Sequence, residues 1–322
     1  MRRHRRKTCS ESGDRVQKTL KSAVRFEGVG LHSGAPATLI VRPAAANHGI
    51  RFRRTDIRIG DAEIPAIWSA VNRTPLCTRL ENRSGASVST VEHLMAAFAG
   101  CGIHNALVEI DGPEVPILDG SSAPFVRAFL GCGLTVQAAP IRAIRILRPV
   151  EVRNGDAAAR LEPSRVMEIA FGIDFADGAI GSQRKQLTME NGTFVRELCD
   201  CRTFCRQADV DAMRAQGLAL GGVPGENAVV FDGDAVVSPG GLRRRDEPVR
   251  HKMLDALGDL LLAGGPVLGL YTGTRAGHSL TNTLLRAVFA DSANYEIVDC
   301  DAATARCLPG AGVHLAEIPA VA

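Results

Sequence analysis

No run of apolar residues in this 322-residue chain approaches the roughly 18 needed to cross a bilayer as a helix. The basic opening MRRHRRK leads into polar CSESGDR, where a secretory leader would carry an apolar core. The expected location is therefore the cytoplasm. Charge of one sign is scarce as well. The formal net charge is +3, and five basic residues fall in the first seven positions, so the remainder is nearly neutral and lacks a nucleic-acid footprint. The nine cysteines are odd in number and scattered, which suits reduced thiols better than a disulfide framework. Short-period repeats and low-complexity tracts are absent. GVGLHSG is glycine-rich, but it lacks the lysine and Ser/Thr of a P-loop and the spacing of a dinucleotide turn.

With 45% apolar residues the chain can bury a sizeable core, and its length favours two domains over one. Residues 1–16 read as a disordered basic extension. TLKSAVRF, ATLIVR and HNALVEI then read as strands, with helices over about Ser89–Ala99 and Pro124–Leu130, each closed by glycine. Ala138–Ile141 reads as a linker. Beyond it the order returns: RILRPVEV, VMEIAFGIDF, FVRELCD and ENAVVFD as strands, Ala208–Gln216 and Glu247–Leu262 as helices. The expected fold is α+β with two related domains, 17–139 and 140–322, each a β-sheet packed with two helices.

Two of these helices carry chemistry. In VSTVEHLMAAFAG, Ser89 and Glu92 fit a capping box, which places His93 in the first turn; Glu92 is either a cap or a base, and His93 either packs or ligates. In DEPVRHKMLDALGDLLLAGG, Asp246 is a candidate cap and Pro248 suits the first turn. His251, Asp255 and Asp259 follow at four-residue spacing on one face of a heavily apolar helix. Unpaired polar groups are costly there, and imidazole with carboxylate suits a catalytic zinc, which takes three protein ligands and leaves a position for water. His93, His251 and Asp255 would form that set. Glu92 would accept the water's proton. His278, in a glycine-flanked loop just before a further helix, would act as general acid or oxyanion stabiliser if Asp259 holds it as imidazolium; nothing local shows that the two meet.

GVGLHSG, RTPLCT, STVEHLMAAFAG, VPILDGSS, RTF, GLALGG, RHKMLDALGDLLLAG and GHSLTNTLLRA occur together in one order. In this the chain resembles the UDP-3-O-acyl-N-acetylglucosamine deacetylases, zinc enzymes of early lipid A synthesis in Gram-negative bacteria. The resemblance runs from about Lys18 to the C-terminal region. It implies two related domains with the active site between them, Zn2+ (or Fe2+) on His93, His251 and Asp255, Glu92 as base, and His278 oriented by Asp259. It further implies that Thr203 of RTF helps bind the oxyanion, that Lys252 contacts the substrate, and that Phe204 and Val210 line an apolar passage for the acyl chain. Without it, Thr203 would be a strand-end threonine, Lys252 a surface lysine, and Phe204 and Val210 core residues. The implied partner is an acylated UDP-N-acetylglucosamine, met by a monomer in transient contact with the surface of the inner membrane; no nucleic acid is expected.

The chain departs from the family pattern at Cys205-Arg206, where Gly-Phe is common, at Val223 in place of a serine, and around Ala157, where a lysine can stand. None of these removes an implied ligand. Cys199, Cys201 and Cys205 lack the paired hooks of a structural zinc site and are expected to be buried thiols. His32 and His104 are expected to be structural or to support the site. Two other readings stay open: a hydrolase of the same fold for another acetamido sugar, and a non-catalytic protein whose basic arm binds RNA or an anionic membrane.

Overall fold

A computed structural model describes residues 16–72 and 76–320. Its described residues form seven helices: α1 (Glu92–Cys101), α2 (Ala123–Cys132), α3 (Thr193–Glu197), α4 (Gln207–Ala215), α5 (Glu247–Leu261), α6 (His278–Phe289) and α7 (Ala302–Arg306). With several sheets, the class is α+β.

The two halves repeat one topology. In the first, the sheet runs Val24–Val29, Pro36–Pro43, Ala106–Ile110, Ile50–Arg54, Glu63–Pro65, and successive pairs are antiparallel, antiparallel, parallel and antiparallel. In the second, Val150–Asn154, Ala157–Pro163, Val267–Thr274, Met167–Asp174 and Ser182–Thr188 follow the same order and directions. A parallel pair needs a crossover connection, and that connection contains α1 in the first half and α5 in the second. The central strand then leads to α2 or α6. The second sheet is widened by Arg142–Ile146, parallel to Val267–Thr274, and by Tyr295–Asp299.

These crossover helices are buried on all sides, as expected of helices lying inside a core. All of α1 except Ala99 is buried, as are most residues of α5. They pack against each other at Gly258, where a Cβ would lie 2.1 Å from the Glu92 carbonyl oxygen. Glycine is thus what lets the two helices approach at the level of Glu92 and His93. Phe98 of α1 stacks on Phe129 of α2 at 5.0 Å, and Phe125 meets Phe26 edge-on at 4.9 Å. Each such buried ring contributes about 1.5–3 kcal/mol. At the end of α1, Gly102 takes φ 67° and returns its N–H to Ala99 and Phe98, a left-handed glycine cap.

Several expectations need correction. The extension over residues 1–16 lies outside the described residues, except that Val16 already opens a strand. TLKSAVRF splits into Val16–Leu20 and Val24–Val29, in different sheets, and RILRPVEV is broken before Val150, where Pro149 removes a donor. The Ala138–Ile141 linker is largely strand: Leu134–Pro140 pairs with Val16–Leu20. FVRELCD is not a strand, because Gly192 at φ 73° turns the chain into α3. The capping box does not form, since α1 starts at Glu92 and the Glu92 carboxylate is engaged elsewhere; nor does the Asp246 side chain cap α5, being bound to Arg250 and Lys185. Two small three-stranded sheets, one at Val71–Asn72, Arg79–Glu81 and Ser87–Val88, the other at Phe204–Arg206, Val229–Asp232 and Ala235–Val236, were not foreseen.

Candidate active site

Because α1 and α5 touch at their reactive ends, His93 meets His251 and Asp255. All three are buried, and their donor atoms lie within 4.8 Å of one another. Both Nε2 atoms face Asp255 Oδ1, His251 at 3.3 Å and His93 at 3.5 Å. Ligand atoms on a tetrahedron with bonds of about 2.1 Å are about 3.4 Å apart. Both imidazole–carboxylate pairs are therefore already spaced as two ligands of one metal ion. Asp255 Oδ1 is buried without a hydrogen-bond partner among the described residues, a costly state for a carboxylate oxygen and one that a cation would relieve.

Neighbouring groups fix each donor. His251 Nδ1 donates to the Cys201 carbonyl at 3.0 Å, which leaves the Nε2 lone pair facing inward. Burial pushes His251 down to about 4, so it is neutral as a ligand must be. Burial opposes ionisation of Asp255, yet His251 and Lys252 hold it well below the ordinary carboxylate value. Lys252 Nζ donates to Asp255 Oδ2 at 2.6 Å. Burial works against the Lys252 ammonium too, and Asp255 outweighs it.

The acid–base groups lie beside these donors. Glu92 Oε2 accepts the Thr78 backbone N–H at 3.0 Å, and Oε1 faces His278 Nε2 at 3.7 Å. Burial raises the Glu92 pKa against the pull of His278 and His93. His278, the first residue of α6 rather than a loop residue, bonds Asp259 Oδ2 through Nδ1 at 2.9 Å. Burial disfavours its charge, but Asp259 and Glu92 overcome that and lift it to about 9. His278 is thus an imidazolium at neutral pH, with Nε2 turned to the site.

Thr203 enters from the other side. Its N–H donates to the Gly120 carbonyl at 2.8 Å and its carbonyl accepts from Val229 at 2.8 Å. Glu247, at the start of α5, takes the Arg202 backbone N–H at 2.9 Å and the Arg202 guanidinium at 3.0 Å. With the His251–Cys201 bond, this ties the segment before Thr203 to α5 twice. Thr203, Phe204, Val210 and Lys252 line one cavity of about 280 Å³ together with Glu92, His93, His251, Asp255 and His278. Phe175, Phe204, Val210 and Met213 are among its apolar walls, with the charged Arg206, Asp209 and Arg214 beside them.

All ten residues singled out in the sequence therefore lie in the metal cluster, the cavity lining or direct contact with them. Sequence reasoning missed Thr78. Its N–H holds Glu92 and its hydroxyl donates to Asp259 Oδ1 at 2.5 Å, so one residue braces both carboxylates. Only its place in RTPLCT pointed to it; Arg73, Thr74 and Pro75 of that motif lie outside the described residues. Glu247 and Arg202 were missed as well. His32 lines the cavity, with a buried Nδ1 that has no partner among the described residues. Cys199 and Cys201 are buried, Cys205 only partly so, and none belongs to a metal-like cluster among the described residues.

A family model for LpxC, UDP-3-O-acyl N-acetylglycosamine deacetylase, matches residues 17–290. The chain is 52% identical over 274 residues to the UDP-3-O-acyl-N-acetylglucosamine deacetylase of Phenylobacterium zucineum, covering 85% of this chain and 93% of that protein. It is 43% identical over 303 residues to the protein of that name from Shewanella piezotolerans, covering 92% and 98%. A third, from Shewanella sp. strain ANA-3, is 44% identical over 304 residues, covering 92% and 99%.

Proposed function

Because the chain belongs to the UDP-3-O-acyl-N-acetylglucosamine deacetylase family, we propose that it hydrolyses the acetamide of UDP-3-O-acyl-N-acetylglucosamine. The products are acetate and the free sugar amine, an early step of lipid A biosynthesis. The observation that carries this reading is the orphaned Asp255 Oδ1 at tetrahedral-ligand distance from two imidazole nitrogens. We assign the metal as zinc on His93, His251 and Asp255; iron(II) suits the same N and O donors. When bound, the ion polarises the acetamide carbonyl and lowers the pKa of water toward about 7.

This chain's own residues supply the remainder. Glu92, fixed at Oε2 by Thr78, offers Oε1 as the base that takes the water's proton. His278, charged through Asp259, stabilises the oxyanion developing on the carbonyl and delivers a proton to the departing amine. Thr203 donates a further hydrogen bond to that oxyanion. Lys252 balances Asp255 and presents positive charge toward the diphosphate. Phe204 and Val210 line the passage for the acyl chain. In this reading the site is formed between units 17–139 and 140–322 of a cytoplasmic monomer that meets its amphiphilic substrate at the inner-membrane surface. Among the described residues no helix is long and apolar enough to cross a membrane.

Acetate release should be compared on acylated and unacylated UDP-N-acetylglucosamine. A strong preference for the acylated sugar is expected. Equal rates would show instead a hydrolase shifted to other acetamido sugars, with Cys205, Arg206 and Val223 the first positions to examine.

A further inference from the structure

A second cavity, of about 270 Å³, lies against the other face of α1 and α5. It shares no lining residue with the metal-centred one. Met95 and Phe98 of α1 with Leu257, Leu260 and Leu261 of α5 form its apolar floor, and Leu308–Ala311 close one side. Its charged lining is of one sign, Lys18, Arg51 and Arg142 beside His48 and His104, with no Asp or Glu among the lining residues. The amides there are already spoken for, since Gln17, Asn47 and Asn105 bond one another.

The cationic groups are not spoken for in that way. Arg142 makes no ion pair among the described residues, and Arg51 reaches only Glu63 at 3.8 Å, a carboxylate closer to Arg53 at 2.5 Å. His104 Nδ1 accepts the Lys18 backbone N–H at 3.0 Å, which puts the ring proton on Nε2. Burial lowers its pKa to about 4, so the ring is a neutral donor at physiological pH. No hydrogen bond uses Nε2 among the described residues. An apolar chamber with fixed donors, cations and no acid repels organic cations and matches an alkyl chain ending in an anion.

We propose that this cavity binds an anionic amphiphile of the fatty-acid class, with its alkyl chain on Met95, Phe98, Leu257 and Leu260 and its carboxylate met by Arg142, Arg51 and the His104 Nε2–H. The site is independent of the acyl passage at Phe204 and Val210. It lies against the same two helices that carry His93, His251 and Asp255.

The test is photolabelling of the full chain with diazirine-bearing decanoic acid, with labelled peptides mapped by mass spectrometry. Label is expected in peptides spanning Met95–Ile103 and Leu308–Ala311. Arg51→Glu with Arg142→Glu should weaken that labelling at least tenfold while acetate release without the probe stays unchanged. Should the double variant not fold, Arg142→Gln, at an exposed position, should weaken it several-fold. Label confined to the Phe204–Met213 segment, label unaffected by the charge changes, or equal labelling by diazirine-bearing decanol would each overturn the proposal.

Discussion

Thr78→Val isolates a single contact in the active site. The substitution keeps the backbone N–H that holds Glu92 Oε2 and removes the hydroxyl that donates to Asp259 Oδ1. Asp259 is buried at 3% exposure, and its other oxygen is committed to His278. Removing a donor from a charged, buried acceptor costs about 1.5–3 kcal/mol. At about 1.4 kcal/mol per factor of ten, a loss felt fully at the transition state lowers kcat/KM by roughly ten- to a hundredfold. The fall should lie in kcat with KM nearly unchanged, because Thr78 braces acid–base groups and does not line the cavity. Bound metal, measured by atomic emission, should be unaffected, since among the described residues no hydrogen bond joins Thr78 to His93, His251 or Asp255. Thr78→Ser keeps the hydroxyl and should restore most of the rate. A Thr78→Val enzyme within twofold of the unsubstituted protein would refute the bracing role.

Other substitutions probe the same geometry. Glu92→Gln and His278→Ala should each lower turnover by at least a hundredfold in protein that retains its metal; near-native rates in stopped acetate assays would remove either from the proposed chemistry. Gly258→Ala places a methyl against the Glu92 carbonyl, so differential scanning calorimetry should show destabilisation of about 1–3 kcal/mol by overpacking, with weaker metal retention; an unchanged Tm would mean the helices separate freely. His104 has a folded pKa near 4, below the ordinary 6.5. The unfolded chain binds the extra proton first, so stability is full above about 6.5 and falls as pH drops toward 4, by at most about 3 kcal/mol. His104→Gln should flatten that part of a urea-unfolding series from pH 7 to 4, and an unchanged slope would contradict the assignment.

What the sequence made legible follows the range of the interaction. His251, Asp255 and Asp259 were readable because four-residue spacing on an apolar helix defines one face without any tertiary information. His93 was readable as the first turn of a second apolar helix, although its cap was not. Ser89 and Glu92 fit a local pattern, but a buried partner from outside the helix, Thr78, takes the Glu92 carboxylate instead. The role of Thr78 left no mark beyond its place in RTPLCT, because its contact with Asp259 spans 181 positions. FVRELCD carries strand-like residues, yet after the left-handed turn at Gly192 its first four residues fall in a short helix, Thr193–Glu197. The return of strands and helices in the second half was expected; the strand order within each sheet was not. Nor was the parallel pairing of a middle strand across each helix, since register arises between segments and leaves no local mark.

The most direct measurement is acetate release from acylated UDP-N-acetylglucosamine by chelated protein as zinc is titrated back. Activity should vanish on chelation, return to saturation at one zinc per chain, and fail to return in His251→Ala. Full activity in metal-free protein, or none in folded protein loaded with zinc, would contradict a metal-centred deacetylase.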